Sequence, residues 1–219
     1  MRFTSTHPWN VTIEEAREIQ LALRERVIRS DHLAKVRFVA GMDVGFEDNG
    51  AIARAAVVVL RFPDLATHET VIARRKVTFP YIPGLLSFRE IPALMAAFRR
   101  LKQSPDLVLC DGQGYAHPRR FGLACHFGVL SDLPTIGVAK TRLIGEHAPI
   151  PNQRGSWRQL KDGKEVIGAV LRTRTGVRPL YISAGHRIGL RTAIRYVLAC
   201  CTAYRLPETT RAAHNLASN

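Results

Sequence analysis

The chain has 219 residues, 46% of them apolar and 23% charged, enough for one folded domain over 1–219 with a sizeable core. Lysine and arginine number 32 against 18 acids, a formal net charge of +14. Residues 1–60 balance at 8 basic and 8 acidic side chains, so the whole excess lies beyond them; this points to a polyanionic partner, nucleic acid ahead of membrane.

Thr12 to Glu15 reads as a capping box, and Ile13, Ala16, Ile19, Leu23 and Val27 follow at helical spacing. Val36 to Asp43 reads as a strand with Asp43 at the end of its apolar run. Glu47 to Gly50 signals a turn, Ala51 to Phe62 a second strand, Pro63-Asp64 another turn, and Glu69 to Phe79 a third strand. Short turns between three strands predict an antiparallel meander. Pro80 to Gly84 then breaks the pattern. Pro92 is welcome only in a first helical turn, which puts Glu90 at a helix start and continues the helix through Ala93 to Leu101.

Leu107 to Asp111 is a short apolar run, expected as a central parallel strand. A helix over Phe121 to Leu130 and a strand over Thr135 to Lys140 follow. Strands are expected at Val166 to Arg172 and Leu180 to Ser183, then a long helix over Arg187 to Tyr204 and a last one begun by Pro207. A meander that turns into β-α-β units predicts an α/β protein of ribonuclease H-like fold, a mixed sheet flanked by helices. The four cysteines, Cys110, Cys125, Cys200 and Cys201, form no CxxC pair and lie in apolar runs; they read as buried thiols in a reducing cytoplasm. No uninterrupted apolar stretch approaches membrane-span length, and no basic-then-apolar leader precedes Glu15, so the expectation is a cytoplasmic protein with no membrane partner.

Asp43 and Asp111 each close an apolar run. Carboxylates there need a partner or a cation, and Glu90 can supply a third oxygen. Such a donor set suits Mg²⁺, with Mn²⁺ as a substitute, and can act on phosphate. His214 is either a further ligand or a solvated side chain on a terminal helix. Lys140 either meets the scissile phosphate or is one more exposed lysine. Gly112, Gly114 and Gly122 flank His117-Pro118-Arg119-Arg120, either a plain surface loop or a close approach to a planar ligand in which His117 and Arg119 bond a base edge or phosphate. Tyr81, between Pro80 and Pro83, is an aromatic on a stiffened loop, suited to probing stacked bases or, failing that, to filling the core.

Several blocks together carry a family resemblance. They are Gly41-Met-Asp-Val44, Pro80-Tyr-Ile-Pro-Gly-Leu-Leu-Ser-Phe-Arg-Glu90, Asp111-Gly-Gln-Gly114, and His117-Pro-Arg-Arg-Phe-Gly-Leu-Ala-Cys-His126. Ile136-Gly-Val-Ala-Lys140, Leu180 to His186, and Leu206-Pro-Glu208 with His214 complete the set. The chain resembles the endonuclease V family from about residue 12 onward. The resemblance implies a ribonuclease H-like fold and a metal site at Asp43, Glu90 and Asp111 with His214, and it places Lys140 near the cleaved phosphate. It implies a strand-separating wedge at Tyr81 with Pro80, Ile82 and Pro83. A pocket for the flipped base follows at Gly84, Leu86, Gly112, His117, Gly122 and Leu123. The implied activity is a Mg²⁺-dependent DNA repair endonuclease that cuts the second phosphodiester bond 3′ to deoxyinosine and leaves 3′-hydroxyl and 5′-phosphate ends. The expected partner is DNA containing deoxyinosine, met by a monomer. Two alternatives stay open: an endoribonuclease for inosine in RNA, and a non-catalytic binder of distorted nucleic acid. The family often has proline after the glutamate of its last motif, where this chain has Thr209, a change expected to bear on how firmly His214 is placed.

Overall fold

The computed structural model describes residues 3–4 and 6–218. It is built on one eight-stranded mixed sheet in the order β3-β2-β1-β4-β5-β8-β7-β6. The strands are β1 (Phe38–Glu47), β2 (Ile52–Arg61), β3 (Thr67–Lys76), β4 (Leu107–Cys110), β5 (Thr135–Ala139), β6 (Trp157–Asp162), β7 (Glu165–Leu171) and β8 (Leu180–His186). The helices are α1 (Ile13–Leu23), α2 (Leu86–Phe98), α3 (Leu123–Ser131), α4 (Leu190–Ala199) and α5 (Glu208–Ser218). The expected meander is present: β1, β2 and β3 pair antiparallel. β4 and β5 then add parallel to β1. Beyond β5 the sheet turns antiparallel again through β8, β7 and β6.

Alternation along the short central strands explains their complete burial. In β4, Leu107 and Leu109 face one layer with Val39, Ile136, Val138 and Ile182, covered by α4 and α5. Val108 and Cys110 face the other with Ala40, Met42 and Val57, covered by α2 and α3 through Leu94, Phe98 and Phe127. A strand covered on both faces has no polar side to show, which is why β4 reads as a continuous apolar run. All four cysteines are free and buried. No helix among the described residues is long and apolar enough to cross a membrane.

Four expectations change. β1 continues past Asp43 to Glu47, because β2 pairs with it along its full length. α2 begins at Leu86 rather than near Glu90, so Glu90 lies a turn inside and Pro92 sits within the helix. Phe88, Ile91 and Leu94 are all buried, and this apolar face holds the helix despite the missing proline N–H. The helix expected over Arg187 to Tyr204 is confined to α4. β6 was not expected; it is an edge strand in which only Leu160 is buried, so it offers little apolar signal.

Candidate active site

The site lies where the sheet opens. β1 pairs with β4 only from Val39 to Met42, while β2 supports it five residues further. Asp111 is the first residue after β4, and its N–H donates to the Met42 carbonyl at 3.3 Å. The pleat puts Val39, Gly41 and Asp43 on one face and Leu107, Leu109 and Asp111 on the same face. Lys140 follows β5 on that face by the same count from Ile136 and Val138. Three neighbouring parallel strands thus deliver Asp43, Asp111 and Lys140 to one edge. Lys140 Nζ stands 2.5 Å from Asp111 Oδ2. Asp111 Oδ2 is buried, and this ammonium is its one close partner among the described residues.

His214 reaches this edge because two glycines let α5 lie directly on β1. A Cβ on Gly41 would stand 2.0 Å from the Thr209 carbonyl oxygen, and one on Gly45 2.2 Å from that of Ala217. Thr209, Ala213 and Ala217 form the buried stripe of α5 at one-turn spacing. His214 then meets Asp43, Nδ1 to Oδ2, at 2.7 Å, while Asp43 Oδ1 accepts from the Val44 N–H at 2.8 Å. Thr209 is fully buried in this packing and His214 is held against Asp43, so the residue found in place of proline does not displace it.

Glu90 comes from α2, in the opposite layer, and is 8% exposed. Burial first, and then the charges of Asp43 and Asp111, push its carboxyl well above the usual range. Asp111 is likewise raised, by burial and by Asp43, against the opposing pull of Lys140. Carboxyls so crowded ionise together only beside a cation. Ligand atoms of Asp43, Asp111 and His214 all lie within 4.8 Å of one another. The carboxylates of Asp43 and Asp111, with the Glu90 carboxyl near both, are oxygen donors that fit a hard divalent ion, and the His214 ring lies beside them on Asp43.

A cavity of about 340 Å³ adjoins the acids. Asp111 and Lys140 lie in one wall, and Tyr81, Ile82 and Pro83 in the other. All six expected pocket residues, Gly84, Leu86, Gly112, His117, Gly122 and Leu123, line it. Tyr81 is 68% exposed at the rim, while Ile82 is half-buried against the Phe79, Leu85 and Phe88 cluster. Pro80 is exposed next to Tyr81. Gly114 does not reach the cavity wall; its N–H donates to Ser183 Oγ at 2.9 Å and its Cα lies against the Ala184 carbonyl. Arg119 is also directed elsewhere, to Gln20 Oε1 at 2.5 Å and the Gly84 carbonyl at 2.8 Å.

The Gly84 carbonyl accepts from three side chains: Arg119, Gln20 Nε2 at 3.1 Å and His117 Nε2 at 2.9 Å. His117 Nδ1 accepts from the Arg119 N–H at 3.2 Å. Both nitrogens of the His117 ring are therefore committed to the wall. Burial and the nearby Arg119 charge lower its pKa to about 4, so the ring is neutral. Gln20 and Ser87 also line the cavity and were missed in the sequence. Gln20 had a signal: it occupies the buried stripe of α1 between Ala16 and Leu23, where a polar residue must find partners. Ser87 lay inside a recognised block but had no role there.

Acids gathered at the open end of a ribonuclease H-like sheet, beside a lysine and a cavity roofed by an exposed aromatic, define a nuclease of that fold class. The endonuclease V family model matches residues 21–215, and the chain belongs to the endonuclease V family. It is 57% identical to the endonuclease V of Trichormus variabilis over 220 residues, covering all of both chains. The crystal structure of endonuclease V from Streptomyces avermitilis superposes with a TM-score of 0.91 at 45% identity, covering 95% of this chain and 92% of that one. The Ciona intestinalis endonuclease V, bound to a 24mer DNA containing an inosine followed by a ribo-adenosine, superposes at 0.82 with 31% identity, covering 94% and 95%.

Proposed function

We propose that the protein nicks DNA at deoxyinosine, hydrolysing the second phosphodiester bond 3′ to the lesion and leaving 3′-hydroxyl and 5′-phosphate ends. The observation that carries this reading is the cavity shared between the Tyr81 loop and the Asp111–Lys140 pair. It makes one site of recognition and cutting. The family resemblance and the inosine-containing DNA held by the Ciona relative support the choice of lesion.

Tyr81 enters the stack in place of the extruded nucleotide, and the prolines beside it limit the backbone freedom lost on binding. Extrusion costs a few kcal/mol and least at a deaminated or mismatched base, so flipping itself selects. The flipped base lies between Gly84, Leu86 and Gly112, against the neutral ring of His117. Lys140 holds its ammonium beside Asp111, and in this reading it meets a phosphate oxygen there. Asp43, Asp111 and Glu90, with His214 on Asp43, would hold Mg²⁺ or Mn²⁺. When bound, such an ion supplies positive charge to the phosphate and lowers the pKa of the attacking water.

The test is an end-labelled duplex with one deoxyinosine, incubated with Mg²⁺ or with EDTA. The expected result is a Mg²⁺-dependent nick one nucleotide beyond the lesion, with a 3′ end that a polymerase extends. Intact substrate in Mg²⁺ would overturn the reading. A matched inosine-containing RNA is the second arm: RNA cut while DNA stays whole assigns the endoribonuclease alternative. Asp111→Asn should bind the duplex and leave it uncut.

A further inference from the structure

Ser87, the second residue of α2, stands in the cavity wall and is 2% exposed. Its hydroxyl meets His126 Nδ1 at 2.9 Å. His126 Nε2 meets His7 Nε2 at 2.8 Å, and His7 Nδ1 meets the Pro8 carbonyl oxygen at 2.7 Å. No other hydrogen-bond partner of either ring is present among the described residues. His126 is fully buried, with Trp9, Phe88 and Phe121 packed around it. Burial keeps both rings below the ordinary histidine pKa, His126 far below it, so both are neutral at pH 7.

The direction of every bond in this chain then follows from its outer end. A carbonyl oxygen only accepts, so His7 carries its hydrogen on Nδ1. A neutral imidazole has one N–H, which leaves His7 Nε2 bare. His126 must therefore donate from Nε2, and its Nδ1 is bare in turn. The single hydrogen of Ser87 is drawn to that nitrogen, and the oxygen has only lone pairs left for the cavity.

We propose that the His7–His126 pair makes Ser87 an obligate hydrogen-bond acceptor, and that this acceptor selects hypoxanthine over adenine in the cavity. The inference rests on the reading of the cavity as the seat of the flipped base. Hypoxanthine carries a hydrogen on N1, where adenine has a lone pair. An unconstrained serine hydroxyl turns to suit either base and discriminates between neither. A serine whose hydrogen is taken faces the adenine N1 lone pair with its own, and a buried polar group left unpaired penalises that base. His126 is a positioning residue in this scheme, and His7 acts through it without approaching the cavity.

Two measurements test it. In the free protein labelled with ¹⁵N-histidine, long-range ¹H–¹⁵N spectra at pH 7 should find His126 protonated on Nε2 and bare on Nδ1. The opposite tautomer overturns the proposal, whatever the substrate. The second compares kcat/KM on duplexes that differ only in carrying deoxyinosine or adenine opposite cytosine. His7→Phe keeps an aromatic ring beside Trp9 and Phe88 but frees the His126 tautomer. Its inosine-to-adenine ratio should fall about tenfold or more, through gained activity on adenine. Ser87→Ala should lose about tenfold on inosine, because no acceptor then remains for the N1 hydrogen. Equal loss on both substrates in His7→Phe, or an unchanged ratio, assigns the pair a structural role only and refutes the inference. A wild-type protein that leaves inosine uncut instead refutes the reading of the cavity, and the selectivity falls with it; the tautomer is settled by the spectrum alone.

Discussion

Replacing Gly41 by alanine should separate α5 from β1 and take His214 out of the acid cluster. The added Cβ would lie 2.0 Å from the Thr209 carbonyl, whereas ordinary contact begins near 3.4 Å. Backbone stands on both sides, so the helix has to retreat by about 1.4 Å rather than a side chain turning away. His214 Nδ1 and Asp43 Oδ2, now 2.7 Å apart, would part beyond hydrogen-bond range. Overpacking of this kind costs about 1–3 kcal/mol. For a chain of this length that is a fall in Tm of about 2–12 °C. The assay is thermal unfolding in EDTA and across a Mg²⁺ titration, in which a bound ion raises Tm by mass action. Gly41→Ala should start lower and need about tenfold more Mg²⁺ for half the rise. A variant with lowered Tm but an unchanged Mg²⁺ response would refute the claim that the α5–β1 approach places His214 for the metal. An unchanged Tm would refute the close packing itself.

Three further outcomes are expected. Tyr81→Ala should leave Tm unchanged within about 0.5 kcal/mol of stability, because the ring is 68% exposed, yet weaken binding to an inosine duplex by about 1–3 kcal/mol of stacking in a gel-shift titration. Glu90→Gln should raise Tm in EDTA, since it removes a buried carboxyl crowded by Asp43 and Asp111, while weakening the Mg²⁺-dependent rise. His117, with its pKa lowered from 6.5 to about 4, should make folding weaken as pH falls through that window. There the unfolded chain takes up the proton and the folded one does not, to a total of about 3 kcal/mol. Denaturant unfolding between pH 7 and pH 4 should show a shallower decline for His117→Gln, and an equal decline would sink the assignment.

The acids were legible because a carboxylate closing an apolar run breaks a pattern that is otherwise uniform. Asp43 and Asp111 did so, and the pleat of neighbouring parallel strands brought them together as expected. The meander was legible for the same reason, from runs punctuated by short turns. The beginning of α2 was not, since Pro92 suggests a first turn and only the buried Phe88 face overrides it. β6 was illegible because a solvent-facing edge strand needs no apolar alternation. The His7–His126–Ser87 chain joins residues 119 and 39 positions apart, and no local signal connects them. Gln20 lies between the two cases: its place in the apolar stripe of α1 marked it as bonded, but its partners at Gly84 and Phe121 were fixed by tertiary structure alone.

Under the proposed function, the threefold-accepting carbonyl of Gly84 would bear on the speed of damage search. Arg119, Gln20 and His117 hold the loop that carries Tyr81 from two separate elements before any DNA arrives. A probe already set in place spends little free energy on becoming ordered at each site it samples. Undamaged sites would then be met and left on the timescale of the duplex's own breathing, without a slow rearrangement of the protein at each one. The difference between a lesion and its neighbours would accordingly reside in how long the complex lasts rather than in how quickly it forms.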